Sequence, residues 1–145
     1  MTNNDLFYVC SLIEFTARMT HNKRRVIVES LGIEGIKKEL HDAPVNHCLT
    51  FDEAGSEIAE RYGIKNGDFD TVTDCKYKVP SYQDIGKLYA IIIERLTDDY
   101  DIPNRVYNVF ASFISDEISR FSTGLYYENP DYIRCCYEEG KILWD

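Results

Sequence analysis

The stretch SYQDIGKLYAIIIERL, residues 81–96, holds a start signal and a helical period in one line. Ser81 with Asp84 makes a box-like cap: a hydroxyl three residues ahead of a carboxylate satisfies amide groups that a helix start leaves without partners. Behind it Ile85, Leu88, Ile92 and Leu96 recur at helical spacing, with Tyr89, Ile91 and Ile93 alongside. That pattern predicts a helix with a wide buried face, and the same grammar repeats in both directions.

Toward the C-terminus, DDYDIP makes a turn, and Pro103 suits a first helical position. The next helix is expected to run to about Ser122, its apolar face built by Val106, Val109, Phe110, Phe113, Ile114, Ile118 and Phe121, with Gly124 as its stop. FSTGLYYENPDYIRCCYEEG, residues 121–140, then gathers four tyrosines, four carboxylates and two adjacent cysteines. Much of that density is a helix start. Asn129 is a good N-cap, Pro130 suits the first position, Asp131 complements the positive helix end, and Gly140 closes the helix after Glu139. Tyr126 and Tyr127 precede the cap and are not accounted for in this way.

Toward the N-terminus, residues 64–80 break the pattern. Cys75, Tyr77 and Val79 alternate with Asp74, Lys76 and Lys78, as in an edge strand, so a small β element is expected near residues 69–79; it would need a partner strand. TFDE, residues 50–53, is a capping box in which Thr50 accepts from the Glu53 N–H and Glu53 reaches back to Thr50. It opens a helix over Phe51–Tyr62 that Gly63 ends, with Ala54, Ile58 and Tyr62 on one face. A helix over Ile33–His41 buries Ile36 and Leu40 and is ended by Pro44. Another runs from Asn22 to Gly32, a natural residue for the position after a helix. The first helix is capped by Asn3 or Asn4. Leu6, Val9, Cys10, Ile13 and Ala17 form its stripe, widened by Phe7, Leu12, Phe15 and Met19, so it belongs at the centre. The expectation is an all-α fold of about seven helices in one bundle-like domain over residues 1–145. The alternative division has sub-halves 1–63 and 80–145 joined by 64–79.

A chain of 145 residues can bury a real core. It has no run of about 18 apolar residues, so no membrane span is expected. The opening MTNNDLFYVCSLIEF has Asp5 ahead of its apolar stretch and no basic n-region, which is not the pattern of a signal peptide. The five cysteines, Cys10, Cys48, Cys75, Cys135 and Cys136, are odd in number and include no CxxC pair, as in a reducing compartment. The cytoplasm is the expected location. The net charge is −9. Residues 1–63 carry 7 basic and 10 acidic side chains (−3), and residues 64–145 carry 9 and 15 (−6). This balance argues against non-specific binding to nucleic acid or to an anionic membrane, and suits a basic protein partner.

Chemical motifs are sparse. His41, His47 and Cys48 match no common zinc spacing and lack an evident fourth ligand, so neither metal nor cofactor is expected. His47 beside Cys48 hints at a thiol enzyme or small hydrolase, but neighbours in sequence rarely face each other. KRRVIVESLGIEGIKKEL, residues 23–40, has the length of a helix-turn-helix within 22–41, and Lys23, Arg24, Arg25, Lys37 and Lys38 would be its nucleic-acid contacts. Gly35 weakens the second helix, which carries no Arg, Asn or Gln to read base edges. Of the eleven tyrosines, nine follow residue 64. Tyr126, Tyr127 and Tyr132 with Glu128 and Asp131 would make an acidic, aromatic docking face.

GIEGIKKELHD and FDEAGSEIAERY, and separately SFISDEISRFSTGLYYENPDYIRCCYEEGKI, resemble small bacterial helical proteins of the domain-of-unknown-function kind. Genes for such proteins sit beside those of toxins similar to ADP-ribosyltransferases. The resemblance covers about half the chain, and the loop around APVNHC is longer than in that family. It implies an accessory or antitoxin-like partner role and no catalytic residue. The expected function is therefore a non-enzymatic, cytoplasmic protein-binding module. A DNA-binding regulator using residues 22–41 is the alternative, and a small hydrolase or thiol enzyme is third.

Overall fold

The structure, a computed structural model, describes residues 3–73, 75–76, 78–121 and 124–143. Among these residues it is all-helical: α1 (Asn3–Thr20), α2 (Arg24–Asn46), α3 (Phe51–Arg61), α4 (Tyr82–Arg95), α5 (Ile102–Phe110), α6 (Phe113–Ser119) and α7 (Pro130–Glu139), with a 3-10 turn over Leu125–Tyr127 before α7. No described helix is long and apolar enough to cross a membrane.

Helix α1 is the central post. It packs on α2, α3 and α4, and α4 in turn packs on α5 and α7. Elements before and after residues 64–80 therefore share one core, from Leu6 and Val9 to Ile118 and Ile133. The stripe of Leu6, Val9, Cys10, Ile13 and Ala17 is buried as its spacing requires, and Leu12 joins it. Phe7 does not; it stands 37% exposed at one end of the helix.

The local signals hold at most helix ends. Thr50, Ser81 and Asn129 accept the amides of Glu53, Asp84 and Asp131. Gly63 and Gly140 take the left-handed conformation just past their helices. Glu53 differs in one detail: its carboxylate accepts the Thr50 hydroxyl at 3.0 Å.

Four elements differ from the sequence reading. The helices over 22–32 and 33–41 run together as α2, interrupted by Gly32 alone at φ 68°, ψ 174°. This is a one-residue break, not the three- or four-residue turn of a helix-turn-helix. Pro44 lies inside the last turn of α2, which ends at Asn46; there a missing N–H removes a single bond, so the helix survives it. The helix expected from Pro103 to Ser122 is two, because Ser112 turns extended at ψ 171° and gives its hydroxyl to the Val109 carbonyl at 2.7 Å; Ser122 itself lies outside the described residues.

The described part of residues 64–80 contains no strand; Asp74 and Tyr77 of the expected alternation lie outside it. Instead of a partner strand, the segment uses the end of α1. Gly67 and Phe69 donate to the Thr20 and His21 carbonyls, and Asn22 donates to the Lys65 carbonyl. A side chain at Gly67 would put its Cβ 2.4 Å from Asn22 Oδ1, so only glycine allows that approach.

Candidate functional site

Two polar clusters lie on the same two helices. Along α1 the positions Tyr8, Ser11 and Glu14 follow at helical spacing, as do Gln83, Gly86 and Tyr89 along α4. The helices touch at the middle of these rows. A Cβ on Gly86 would fall 2.1 Å from Ser11 Oγ and 2.6 Å from Ser11 N and Cα. The glycine is what lets the backbones approach.

On one side of this crossing the polar groups are closed off. Arg24, only 4% exposed, donates from Nε to Glu14 at 2.6 Å, and its other nitrogens reach Glu14, the Ser115 carbonyl at 2.9 Å, Ser119 Oγ at 2.7 Å and Tyr89 Oη at 3.3 Å. Arg18 holds the second Glu14 oxygen at 2.9 Å and the Pro80 carbonyl at 2.7 Å. Tyr89 stacks flat on Phe110, with centroids 3.9 Å apart. Burial opposes the charge on Arg24, and Glu14 more than offsets it, so the guanidinium stays firmly protonated. Burial pushes the Tyr89 hydroxyl up to about 12. The cluster joins α1, α2, α4 and α6.

On the other side lies a cleft of about 520 Å³. Asn4, Asp5, Phe7, Tyr8 and Ser11 line it from α1, and Ala43, Pro44 and His47 from the end of α2. Phe51 from α3 and Gln83 from α4 complete it. Phe7, Tyr8 and Phe51 are its aromatic side chains, and Tyr82 and Phe15 pack behind Phe51. Tyr8 meets Phe51 at 5.5 Å, and Phe51 meets Tyr82 at 4.8 Å and Phe15 at 5.8 Å between centroids. Tyr8 gives its hydroxyl to the Asn46 carbonyl at 3.1 Å. Its pKa is raised by burial and then by the carboxylates of Glu39 and Glu57. Ser11 Oγ is buried without a hydrogen-bond partner. A smaller lobe of about 270 Å³ continues past Asp5 and Pro44 to Leu40, His41, Lys37 and Pro103. At the rim Phe7 is exposed, and beside Pro44 so is Val45, at 74%.

Asp5, Ser11 and His47 all line this cleft, which invites comparison with a hydrolytic triad. The bonding does not follow. Ser11 Oγ has no partner, and His47 places Nδ1 on the Ala43 carbonyl at 3.2 Å, so no base stands on the hydroxyl. Thiol chemistry finds no better footing at Cys10, whose pKa is raised by burial, first, and by Glu94. Cys48 is exposed. Among the described residues no group of three or more His, Cys, Asp or Glu side chains could hold a metal ion.

The basic residues of 22–41 do not form one surface. Arg24 is a correction to the nucleic-acid reading, because its guanidinium is spent inside the core. Lys23 and Arg25 both face Asp116, at 3.8 and 3.9 Å. Lys37 faces Glu34 at 3.8 Å, and Lys38 holds Asp42 at 2.6 Å.

The C-terminal tyrosines are gathered but largely engaged. Tyr126 and Tyr127 meet edge to face at 5.0 Å, and Tyr127 donates to the Lys78 carbonyl at 3.1 Å while remaining 60% exposed. Asp131 pairs with Arg95 at 2.9 Å, Tyr132 is partly buried against the core, and Glu128 is exposed.

The cleft was missed in the sequence because four separate segments build it. The one local sign was Phe7, an aromatic side chain off the buried stripe of α1. No protein-family model, curated protein or solved structure matches the chain.

Proposed function

We propose that this chain is a cytoplasmic, non-enzymatic protein-binding module, and that a segment of its partner docks in the cleft between the starts of α1, α3 and α4 and the end of α2. The observation that carries this reading is the cleft of about 520 Å³ with exposed apolar side chains beside it. The cleft joins three aromatic side chains, Phe7, Tyr8 and Phe51, to Ala43, Pro44 and a few polar groups, and Phe7 and the nearby Val45 are exposed, which is the composition of a recognition site. The absence of a nucleophile–base bond weighs against the enzyme reading. The pairing of Lys23, Arg25, Lys37 and Lys38 with carboxylates weighs against a DNA-binding surface. The acidity of the chain favours a basic partner. An accessory or antitoxin-like role, as the resemblance implies, is one form such a module takes.

The test is affinity capture from cells that naturally express the chain, with three variants beside the unaltered protein. Phe7→Ser with Val45→Ser removes the exposed apolar side chains at and beside the cleft; Tyr126→Ala with Tyr127→Ala removes the C-terminal aromatic pair; Lys23→Ala with Arg25→Ala removes the basic pair at the start of α2. A stoichiometric protein that the rim variant loses and the tyrosine variant keeps bears the proposal out. The reverse pattern moves the contact to the C-terminal face. Co-purifying nucleic acid that Lys23→Ala with Arg25→Ala releases overturns the proposal in favour of a regulator.

A further inference from the structure

The larger lobe of the cleft offers a ligand no counter-ion of either sign. Among the described residues Asp5 is the one carboxylate in its lining, and Asp5 is 8% exposed and has a partner of its own. No lysine or arginine lines that lobe. The Tyr8 hydroxyl is given to the Asn46 carbonyl at 3.1 Å. Ser11 is packed at the crossing against Gly86. A charged group entering the cleft would leave water without meeting a partner, which is costly. What the lining does offer is neutral. Phe7, Phe51, Ala43 and Pro44 give it apolar surface. Asn4 on α1 and Gln83 on α4 are exposed, and among the described residues no other group of the chain bonds their carboxamides. His47 places Nδ1 on the Ala43 carbonyl at 3.2 Å, and a carbonyl only accepts, so the neutral ring keeps Nε2 as an acceptor.

Each carboxamide has both an acceptor oxygen and donor hydrogens, which is the complement of a peptide group. A helical segment has already spent its peptide groups on itself, whereas an extended one presents them along its edge. The volume of about 520 Å³ falls within the range of roughly 300–1,000 Å³ in which ligand sites hold an apolar group fixed by a few polar ones. We infer that the cleft receives an extended, uncharged segment of the partner protein: an apolar side chain such as leucine seats against Phe7 and Phe51, and the peptide groups beside it bond to Asn4 and Gln83. The inference rests on the docking reading above and specifies the occupant. The net charge of −9 then acts outside the cleft, drawing a basic partner in from a distance.

The probes are acetyl-Ala-Leu-Ala-amide, its counterparts with lysine or glutamate in place of leucine, and an ester form in which oxygen replaces the leucine N–H. Each is titrated into the full isotope-labelled chain and followed by amide NMR shifts. The leucine peptide is expected to shift the amides of Asn4, Tyr8, His47, Phe51 and Gln83. It should bind about tenfold more tightly than either charged peptide, which is about 1.4 kcal/mol. The ester should bind about threefold to tenfold more weakly than the leucine peptide, as loss of one hydrogen bond implies. Asn4→Ala with Gln83→Ala, both at exposed positions, should abolish the difference between amide and ester. Phe7→Ala, likewise exposed, should weaken the leucine peptide. A lysine or glutamate peptide that binds in the cleft as tightly as the leucine peptide overturns the uncharged occupant and leaves docking standing. An ester that binds as tightly as the amide overturns the bonds to Asn4 and Gln83, and with them the extended segment. Shifts for none of the peptides at millimolar concentration overturn both this inference and docking in the cleft.

Discussion

Helix α1 carries two nearly buried carboxylates, Asp5 and Glu14, in opposite settings. Around Glu14 every neighbouring donor is drawn inward: two arginines converge on it, and two serines and a tyrosine complete the second arginine's bonds. Around Asp5, which has a partner of its own, the helices diverge and leave a cleft, while Ser11 Oγ is buried against Gly86 at the crossing. The difference lies in what approaches from α2. Its start brings Arg24 into the crossing, while its end brings Pro44 and His47 to the cleft. A polar cluster becomes structure when the fold supplies all its partners. It borders a candidate site when the fold leaves space beside it.

The largest expected effect breaks the closed side. Arg24→Ala strands Glu14 in the core, and loss of one partner of a buried pair costs roughly 3–5 kcal/mol. Denaturant unfolding would measure it. Replacing both Glu14 and Arg24 by Met should recover part of the loss: the two buried charges leave together, while Arg18 loses its carboxylate but keeps the Pro80 carbonyl and access to water. A loss below about 1 kcal/mol for Arg24→Ala would place the pair with exposed salt bridges, and the contrast with Asp5 would collapse.

Gly86→Ala strikes the point between the two sides. Its Cβ would overlap backbone atoms of Ser11 at 2.6 Å, so α1 and α4 must separate. The expected cost is about 1–3 kcal/mol, as for other overpacked sites. Ser11→Ala should not rescue it, because the clash with Ser11 N and Cα remains.

Those two residues also show what the sequence could reveal. Caps and stripes are local, so Ser81, Thr50, Asn129 and the α1 face were readable from spacing alone. Arg24 looked like a surface charge because it stands between Lys23 and Arg25. Yet Arg24, Ile27, Val28 and Leu31 share helical spacing, and all four are buried; Glu14 stands likewise between Ile13 and Ala17. The stripe held the signal, and the charge of the side chain hid it. The split at Ser112 depends on one hydroxyl choosing a carbonyl, and apolar spacing runs through it unchanged. The cleft depends on how α1, α2, α3 and α4 meet at their ends, which no periodicity encodes.

Tyrosine titration sharpens the comparison at high pH. Tyr89 is raised from 10.0 to about 12 by burial. A raised folded-state value contributes stability that is fully present below pH 10 and lost as pH rises through about 12. Unfolding free energy should fall across that window, with the last tyrosinate absorbance appearing there. Tyr89→Phe should flatten the fall. Tyr8→Phe should change it less, because Tyr8 is only half-buried, though burial and Glu39 raise it too.

The smallest effect is the most discriminating. Ser119 and Ser11 are both buried serines. Ser119 Oγ accepts from Arg24 at 2.7 Å and donates to the Ser115 carbonyl at 3.0 Å. Its replacement by Ala leaves a charged donor short and should cost about 1–3 kcal/mol. Ser11 Oγ has no partner to lose, so Ser11→Ala should change stability by less than about 0.5 kcal/mol, or raise it, by relieving an unmet desolvation cost. If stability holds in Ser11→Ala, the hydroxyl adds nothing to the fold, and the contrast with Ser119 stands. If stability instead falls as far as in Ser119→Ala, Ser11 is satisfied within the fold, and the two sides of the crossing are the same kind of structure.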